Sequence, residues 1–338
     1  MRRRTIAATV GAAAALGTAA AVLAARRLER RYRAEADAGG DDLLALPEGR
    51  SFAVTTGDGA VLAVTDAGEG PLVVLAHCYA GSRAVWAPVA RRLVARGHRV
   101  VLWDQRGHGE STVGSDGLTI DRLGEDLRDV LEAVDARGAV LAGHSMGGMT
   151  VMALIGRHPA VVADRAGAVV LVSTAAVMPM RVVGPGLVAA VASSRLATAA
   201  IGGPYGYLFV RPSVGRRPVW AHLDATARLY SATAPETRAE LLRSMAAMDL
   251  RPGLALCPVP GVVVAGGRDG LTLAGLSVDI AAHLPRADVV VLPDSGHMLP
   301  FEEPDRLADL IIGAPEWRGS GPRAGARRGA GEDAVAAG

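Results

Sequence analysis

The stretch "LAGHSMGG", Leu141 to Gly148, decides the fold of this chain. An apolar strand pattern leads into the pentapeptide GHSMG, and an apolar helical pattern follows it. In this strand, turn and helix context the pattern G-x-S-x-G presents a serine as a nucleophile. Side chains in place of Gly143 and Gly147 would collide with the neighbouring strand and helix. The sequence therefore predicts Ser145 as a nucleophile at a helix N-terminus, where the dipole favours negative charge.

Similar apolar runs recur on both sides of this stretch, and helical patterns such as Trp86–Ala95, Asp121–Asp135 and Met146–Arg157 separate them. The runs are LVVLA (72–76), RVVLWD (99–104), AVLAG (139–143), AVVLVS (168–173), GVVVAGG (261–267) and DVVVLPD (288–294). Strands that are apolar on both faces and alternate with helices indicate a parallel sheet between two helical layers. Two further strand patterns flank the turn "GDG" (57–59) and predict an antiparallel hairpin at the edge. The fold class is therefore α/β, with a mostly parallel sheet covered by helices on both faces.

The alternation is interrupted from Ala175 to about Pro258, where the pattern becomes helical. We interpret this stretch as a helical cap inserted over one edge of the sheet, within a main domain of residues 51–316. Its aromatic residues include Tyr205, Tyr207, Trp220 and Tyr230, which would line an apolar acyl pocket or simply pack as core. Residues 37–50 are interpreted as a linker, and residues 317–338 as a disordered tail with few large apolar side chains.

Composition excludes several classes of function. Half of the 338 residues are apolar, which is enough for a sizeable core, and the formal charge is +2. Eight Arg lie in residues 1–36 and four in residues 317–338, so the rest of the chain is acidic, with 24 Arg against 30 Asp and Glu. A nucleic-acid partner is not expected, because its binding surface would need basic residues on the folded part. Two cysteines, Cys78 and Cys257, are too few for a disulfide framework and have no zinc-like spacing.

The N-terminus carries an uncharged run from Thr5 to Ala25 between two groups of Arg. The run has about the twenty residues that a membrane-spanning helix needs. We therefore expect residues 1–36 to form a membrane anchor with a single span and hence a membrane localisation. The alternatives are a cleaved signal segment, which would give a secreted protein, and an Ala-rich helix too weakly apolar to insert.

A serine hydroxyl needs a base to take its proton and an acid to orient that base. His297 lies in "PDSGHMLP", directly after the last predicted strand, and Asp269 lies in "AGGRDG", at the end of the strand before it. Both positions are at the carboxyl edge of the sheet, where ligands of such folds bind. The sequence predicts Ser145, Asp269 and His297 as the catalytic residues, with Asp294 as the second choice of acid.

Residues Ser51 to Ile312 resemble the α/β-hydrolase fold superfamily, in its serine esterase, lipase and haloperoxidase-like group. The resemblance rests on the GHSMG turn, on the order serine, acid, histidine along the chain, and on "WDQRGHGES" (103–111), which is similar to a loop after the fourth strand in that superfamily. Dehalogenase and epoxide-hydrolase branches use Asp as the nucleophile, so Ser145 disfavours both reactions.

The resemblance also implies an oxyanion hole. In the superfamily the loop after the third strand usually reads His-Gly-x, and here these positions are His77, Cys78 and Tyr79. The backbone N–H groups of Tyr79 and Met146 would hold the oxyanion, and His77 would support the loop. Cys78 stands where Gly is usual, which raises the questions of a strained backbone and of a thiol nucleophile.

Together these observations predict a serine hydrolase that cleaves carboxylic esters of a small-molecule acyl substrate through an acyl-enzyme, without cofactor or metal. A lactonase, a carbon–carbon hydrolase or a perhydrolase would use the same triad, and a binding module with an idle triad is the alternative from another class. The sequence does not define the oligomeric state.

Overall fold

A computed structural model of the protein describes residues 24–33, 43–178, 190 and 192–316. Eight strands form one sheet in the order β1-β2-β4-β3-β5-β6-β7-β8. The strands are β1 Arg50–Thr55, β2 Val61–Ala67, β3 Leu72–Ala76, β4 Arg99–Trp103, β5 Ala139–His144, β6 Ala166–Val172, β7 Gly261–Gly266 and β8 Ala287–Leu292. Only β2 runs antiparallel to its neighbours β1 and β4, while the pairs from β4 to β8 are parallel. The predicted α/β fold with an edge hairpin is confirmed.

Helices cover both faces of this sheet. Those outside the cap are α1 (24–33), α2 Ala87–Ala95, α3 Ile120–Ala133, α4 Met146–Arg157, α5 Pro159–Arg165, α11 Ala274–His283, α12 Leu299–Glu302 and α13 Pro304–Gly313. Helix α3 shows why these segments are helical, because its buried residues Ile120, Leu123, Leu127, Val130 and Leu131 recur at helical spacing and Thr119 caps its first turn. The apolar faces of α3 and α4 pack on one side of the sheet, and those of α2 and α13 pack on the other.

The predicted helical insertion lies between β6 and β7. Its helices are α6 Arg195–Ile201, α7 Gly206–Val210, α8 Trp220–Ala232, α9 Pro235–Ala247 and α10 Arg251–Leu254. All four aromatic residues proposed as pocket lining pack in or against a small apolar cluster of the cap: Tyr205, Tyr207, Trp220 and Tyr230. That cluster also contains Tyr32 from α1, so part of the aromatic surface of the cap is covered by the N-terminal helix.

The prediction of a membrane anchor is wrong. Within the ranges that the structure describes, no helix is long and apolar enough to cross a membrane. This finding also corrects the membrane localisation and the membrane partnership that depended on the anchor. Most of the run from Thr5 to Ala25 precedes residue 24 and lies outside the described residues. Alanine dominates that run and gains little on leaving water, and α1 itself contains five Arg between positions 26 and 33.

Helix α1 packs on the cap. Tyr32 is buried, and its ring meets the ring of Tyr207 edge to face at a centroid distance of 6.1 Å. The hydroxyl of Tyr207 donates a hydrogen bond to the carbonyl oxygen of Ala25 at 2.6 Å. The guanidinium of Arg33 lies 4.0 Å from the centre of the Trp220 ring. Polar and aromatic contacts therefore dock α1, although its sequence is rich in charge.

Candidate active site

The turn between β5 and α4 has the steric form that the sequence predicts. A Cβ on Gly143 would lie 2.3 Å from the carbonyl oxygen of Gly147, and a Cβ on Gly147 would lie 2.1 Å from the carbonyl oxygen of Ala76. Both distances are far inside van der Waals contact, so only glycine fits at either position. Because β3 and β5 are neighbours, with Ala76 paired to Gly143, the turn packs directly against the end of β3.

Ser145 has a strained backbone. Its φ is +54° and its ψ is −115°, a region that L-residues rarely occupy. Its N–H donates to the carbonyl oxygen of Val172 at the end of β6, at 2.8 Å, so the neighbouring strand holds the turn. Ser145 is the N-cap residue of α4, and its own hydroxyl does not cap the helix. The hydroxyl thus stands at the positive end of the helix dipole.

Asp269 and His297 form a hydrogen-bonded pair. The Nδ1 of His297 lies 2.8 Å from Oδ2 of Asp269, and both side chains are buried. Since the carboxylate accepts, Nδ1 carries the proton and Nε2 is left as the basic nitrogen. Burial works to raise the pKa of Asp269, but the charge and hydrogen bond of His297 and the hydrogen bonds from Thr272 outweigh it and hold the pKa well below its ordinary value. Asp294, the second choice of acid, is instead exposed and pairs with Arg216.

His144 links the turn to this pair. Its Nε2 lies 2.8 Å from the carbonyl oxygen of His297, and the two imidazole rings are 5.0 Å apart. A carbonyl oxygen only accepts, so Nε2 of His144 carries the proton. Burial, and then the neighbouring His297, lower the pKa of His144 to about 3. The residue next to Ser145 is therefore a neutral donor to the backbone of His297, and it links the turn that carries Ser145 to the loop that carries His297.

The loop after β3 is held by His77. The N–H of Gln105 donates to Nε2 of His77 at 2.9 Å, so the protonated Nδ1 donates to the carbonyl oxygen of Cys78 at 2.8 Å. Burial lowers the pKa of His77 to about 4, which keeps it neutral in this role. His77 is thus bonded through both ring nitrogens, and its Nδ1–H holds the carbonyl group that precedes Tyr79.

The two predicted oxyanion donors lie on neighbouring pieces of backbone. Met146 begins α4, and the next residue, Gly147, packs against the carbonyl groups of Ala76 and His77 at the start of the loop that carries Tyr79. Within the described part of the chain, neither the N–H of Tyr79 nor that of Met146 donates to another protein group. Neither N–H group therefore has a competing protein acceptor in that part of the chain.

Cys78 does not have the conformation that would demand glycine. In the described residues the non-glycine positions with positive φ are Ala80, Asp135, Ser145 and Ser173. The residue with positive φ in this loop is therefore Ala80, two positions after Cys78. Cys78 is buried, and burial raises the pKa of its thiol to about 12. Such a thiol stays protonated at neutral pH and is a poor nucleophile.

The polar groups that bind Asp269 and His77 from neighbouring residues were not predicted. Thr272 donates its hydroxyl to Oδ2 of Asp269 at 2.6 Å, and the N–H groups of Leu271 and Thr272 both donate to Oδ1 at 2.8 Å. An Asp followed by a turn with Thr three residues later is a local signal that could have identified this arrangement. Gln105 donates to the carbonyl oxygen of His77 at 2.6 Å and accepts from Thr150 of α4 at 2.5 Å, a long-range link without a local signal.

Ion pairs hold the loop "WDQRGHGES" (103–111) in place. Asp104 is bonded to the backbone and guanidinium of Arg83. Arg106 is fully buried and pairs with Asp126 at 2.6 Å and with Asp58 at 2.9 Å. These ion pairs fix the loop that supplies Gln105 to the site.

An eight-stranded sheet with this order, a strained serine at the turn after β5 and an acid–histidine pair after β7 and β8 define a hydrolase of the α/β class. The alpha/beta hydrolase family model matches residues 73–310. The chain therefore belongs to the alpha/beta hydrolase family, as the sequence resemblance indicates.

Known relatives span several activities. The chain is 26% identical over 276 residues to the 3-oxoadipate enol-lactonase 1 of Acinetobacter baylyi, a match that covers 79% of this chain and 98% of that protein. It is 38% identical over 104 residues to a non-heme chloroperoxidase from Kitasatospora aureofaciens, but that match covers only 31% of this chain and 38% of the relative. The relatives thus include lactone hydrolases and haloperoxidases.

Solved structures give the same fold. An esterase from Exiguobacterium antarcticum superposes with a TM-score of 0.71 at 18% identity, over 79% of this chain and all of that one, and at this identity it shows the fold alone. The enol-lactonase from Burkholderia xenovorans superposes with a TM-score of 0.64 at 26% identity, over 78% of this chain and 98% of that one. The solved structures thus confirm the fold, and the one at 26% identity is an enol-lactonase.

Proposed function

We propose that this protein is a serine hydrolase that cleaves carboxylic esters through a triad of Ser145, His297 and Asp269. The observation that carries the proposal is the 2.8 Å hydrogen bond between His297 and Asp269, beside the strained turn that presents Ser145. A buried carboxylate that fixes one imidazole tautomer next to a serine on a strained turn is the arrangement that activates a hydroxyl.

The reaction begins when the Ser145 hydroxyl attacks the ester carbonyl carbon and passes its proton to Nε2 of His297. Asp269 stabilises the imidazolium that results and holds the ring through Nδ1. The protonated Nε2 then gives its proton to the leaving alcohol as the carbon–oxygen bond breaks and the acyl-enzyme forms. Water, deprotonated by His297, attacks the acyl-enzyme, and the acid is released as Ser145 regains its proton.

The negative charge on the carbonyl oxygen would be held by the N–H groups of Tyr79 and Met146. Each such donor is worth about 3 to 4 kcal/mol of transition-state stabilisation in serine hydrolases where one has been removed. The neutral His77 contributes by fixing the loop, because a mobile donor loses its advantage over water.

The substrate class is an ester of a small carboxylic acid, and it includes lactones, which are cyclic esters cleaved by the same steps. Two features support this choice. The nucleophile is a serine, whereas a carboxylate would indicate dehalogenase or epoxide chemistry. The relatives that match over nearly their full length include enol-lactonases, which cleave cyclic esters.

The experiment is labelling of the full chain by a fluorophosphonate probe, together with hydrolysis of 4-nitrophenyl esters of two to eight carbons. We expect the wild type to be labelled and to hydrolyse at least one ester, and Ser145→Ala to lose both. Ser173→Ala is the matched control, since Ser173 is also buried, follows the adjacent strand β6 and has a φ of +44°. A wild type that resists the probe would favour the idle binding module, and activity retained in Ser145→Ala would refute the triad.

A further inference from the structure

The loop that carries His297 is bonded to the backbone of the cap. The carbonyl oxygen of Ser213 accepts hydrogen bonds from the N–H of His297 at 2.8 Å and from the N–H of Met298 at 3.1 Å. The N–H of Arg216 donates to the carbonyl oxygen of Asp294 at 2.9 Å. Residues 211–216 of the cap, which we call the bracing segment, thus lie along the loop that carries His297 and hold that loop by backbone hydrogen bonds.

Two glycines let these backbones meet. A Cβ on Gly215 would lie 2.6 Å from the backbone nitrogen of Gly296, and a Cβ on Gly296 would lie 2.5 Å from that of Gly215. The carboxylate of Glu302 accepts from both N–H groups, at 2.7 Å from Gly215 and 3.0 Å from Gly296. The contact has no side chain in between to absorb a shift, so a displacement of the bracing segment is transmitted to His297.

Helix α1 holds the bracing segment in turn. Arg211 donates from Nη1 to the carbonyl oxygen of Val214 at 2.8 Å and from Nε to the hydroxyl of Tyr32 at 3.3 Å. Tyr32 is 7% exposed, and it packs among the cap residues Tyr207, Val210 and Val214. A continuous set of contacts therefore runs from α1 through Arg211 to the acceptor of the His297 N–H.

We propose that Tyr32 is a positioning residue for His297, which acts through Arg211 and the bracing segment. This inference rests on the proposed function, because it concerns how His297 is placed to take the proton of Ser145. Proton transfer and attack depend on distances of a few tenths of an ångström, and a misplacement of 1 Å can cost about a hundredfold in rate. Loss of the Tyr32 hydroxyl leaves Arg211 without one of its two hydrogen-bond acceptors. We expect the resulting displacement of the bracing segment to be smaller than about 1 Å.

The test compares full-length Tyr32→Phe with Tyr205→Phe. Tyr205 belongs to the same aromatic cluster, but within the described residues its hydroxyl makes no hydrogen bond to the bracing segment. We expect Tyr32→Phe to lower kcat by about three- to tenfold with KM nearly unchanged, and to slow fluorophosphonate labelling of Ser145 by the same factor. Tyr205→Phe should leave kcat, KM and labelling within twofold of the wild type.

A double-mutant cycle with Arg211→Met tests the route. If Tyr32 acts through Arg211, Tyr32→Phe should add no further loss in the Arg211→Met background. The inference is overturned by additive losses in the cycle, by a change in KM alone, or by a labelling rate equal to that of the wild type. Wild-type protein that neither hydrolyses esters nor reacts with the probe would instead refute the proposed function. Near-ultraviolet circular dichroism of each variant shows whether the cap remains folded.

Discussion

Replacement of Ser145 by glycine should remove activity and yet stabilise the fold relative to replacement by alanine. Both variants lose the hydroxyl, so they differ only in the Cβ. At a φ of +54° and a ψ of −115° that Cβ is strained, whereas glycine adopts the conformation freely. Ser145→Ala is therefore the matched control, in which the strain is kept.

The magnitude follows from two opposing effects. A non-glycine residue in a sparsely populated region costs about 1 to 3 kcal/mol, and glycine relieves this cost. Glycine also increases the entropy of the unfolded chain, which costs about 0.4 to 1 kcal/mol. With the middle of each range, the glycine variant should be more stable than the alanine variant by about 1 kcal/mol, or by about 2 to 4 °C in Tm for a domain of this size.

The assay is urea unfolding of both variants, followed by circular dichroism, with the free energies compared at equal m-values. At an unstrained position glycine would be the less stable of the two by up to about 1 kcal/mol. That outcome would refute the reasoning, because it would mean that the turn does not hold position 145 in the strained region in solution. If the two variants had equal free energies of unfolding, the strain at position 145 would be no larger than the entropy cost of glycine, about 0.4 to 1 kcal/mol.

Three further predictions concern other parts of the site. Asp269→Asn should lower kcat by about three to four powers of ten, as in serine proteases. Since the folded pKa of Asp269 is depressed, its ionised form stabilises the fold at pH values above the unfolded pKa of about 4. In urea unfolding, the stability advantage of the wild type over Asp269→Asn should therefore shrink as the pH falls below about 4. Gly147→Ala should lower Tm by more than about 5 °C, because its Cβ would lie 2.1 Å from the carbonyl oxygen of Ala76, whereas Gly275→Ala in α11, with no atom within 4 Å, should not; equal melting curves would contradict this. Cys78→Ala should keep most of kcat, since a buried thiol with a pKa of about 12 is not the nucleophile. Cys78→Gly should lower the free energy of unfolding by up to about 1 kcal/mol. Loss of activity in both variants, as large as in Ser145→Ala, would show that the loop is misassigned.

Local patterns were sufficient for the sheet and for the turn at Ser145. Helix α4 begins and ends at the predicted residues, Met146 and Arg157, because a glycine-rich turn and a polar helix end mark both limits. Asp269 and His297 were found for a similar reason, since both directly follow apolar strands and parallel strands end at one edge of the sheet. The prediction of α2 began at Trp86, one residue before the helix, within the scatter that helix termini show.

The remaining features depend on residues far apart in the chain. The acceptor of the His297 N–H is Ser213, and Tyr32 is buried by residues more than 170 positions later, so neither contact leaves a periodic signal. The error at the N-terminus has a different cause. The length of the uncharged run predicts a span, but alanine supplies length without much hydrophobicity. The helix that follows is placed by tyrosine and arginine contacts with the cap.

The direct contact between Gly215 and Gly296 constrains how caps can be exchanged between members of this family. A chimera with crossover points near residues 175 and 258 would contain a bracing segment from another protein. That segment would have to pack against the native loop that carries His297. Any side chain at position 215 would enter the backbone of that loop. Recombination that keeps residues 211–216 with the host sheet, and replaces only the helices around them, preserves the backbone contacts that hold the His297 loop. A compatible change of cap is therefore reached more readily by grafting parts of the insertion than by transplanting all of it.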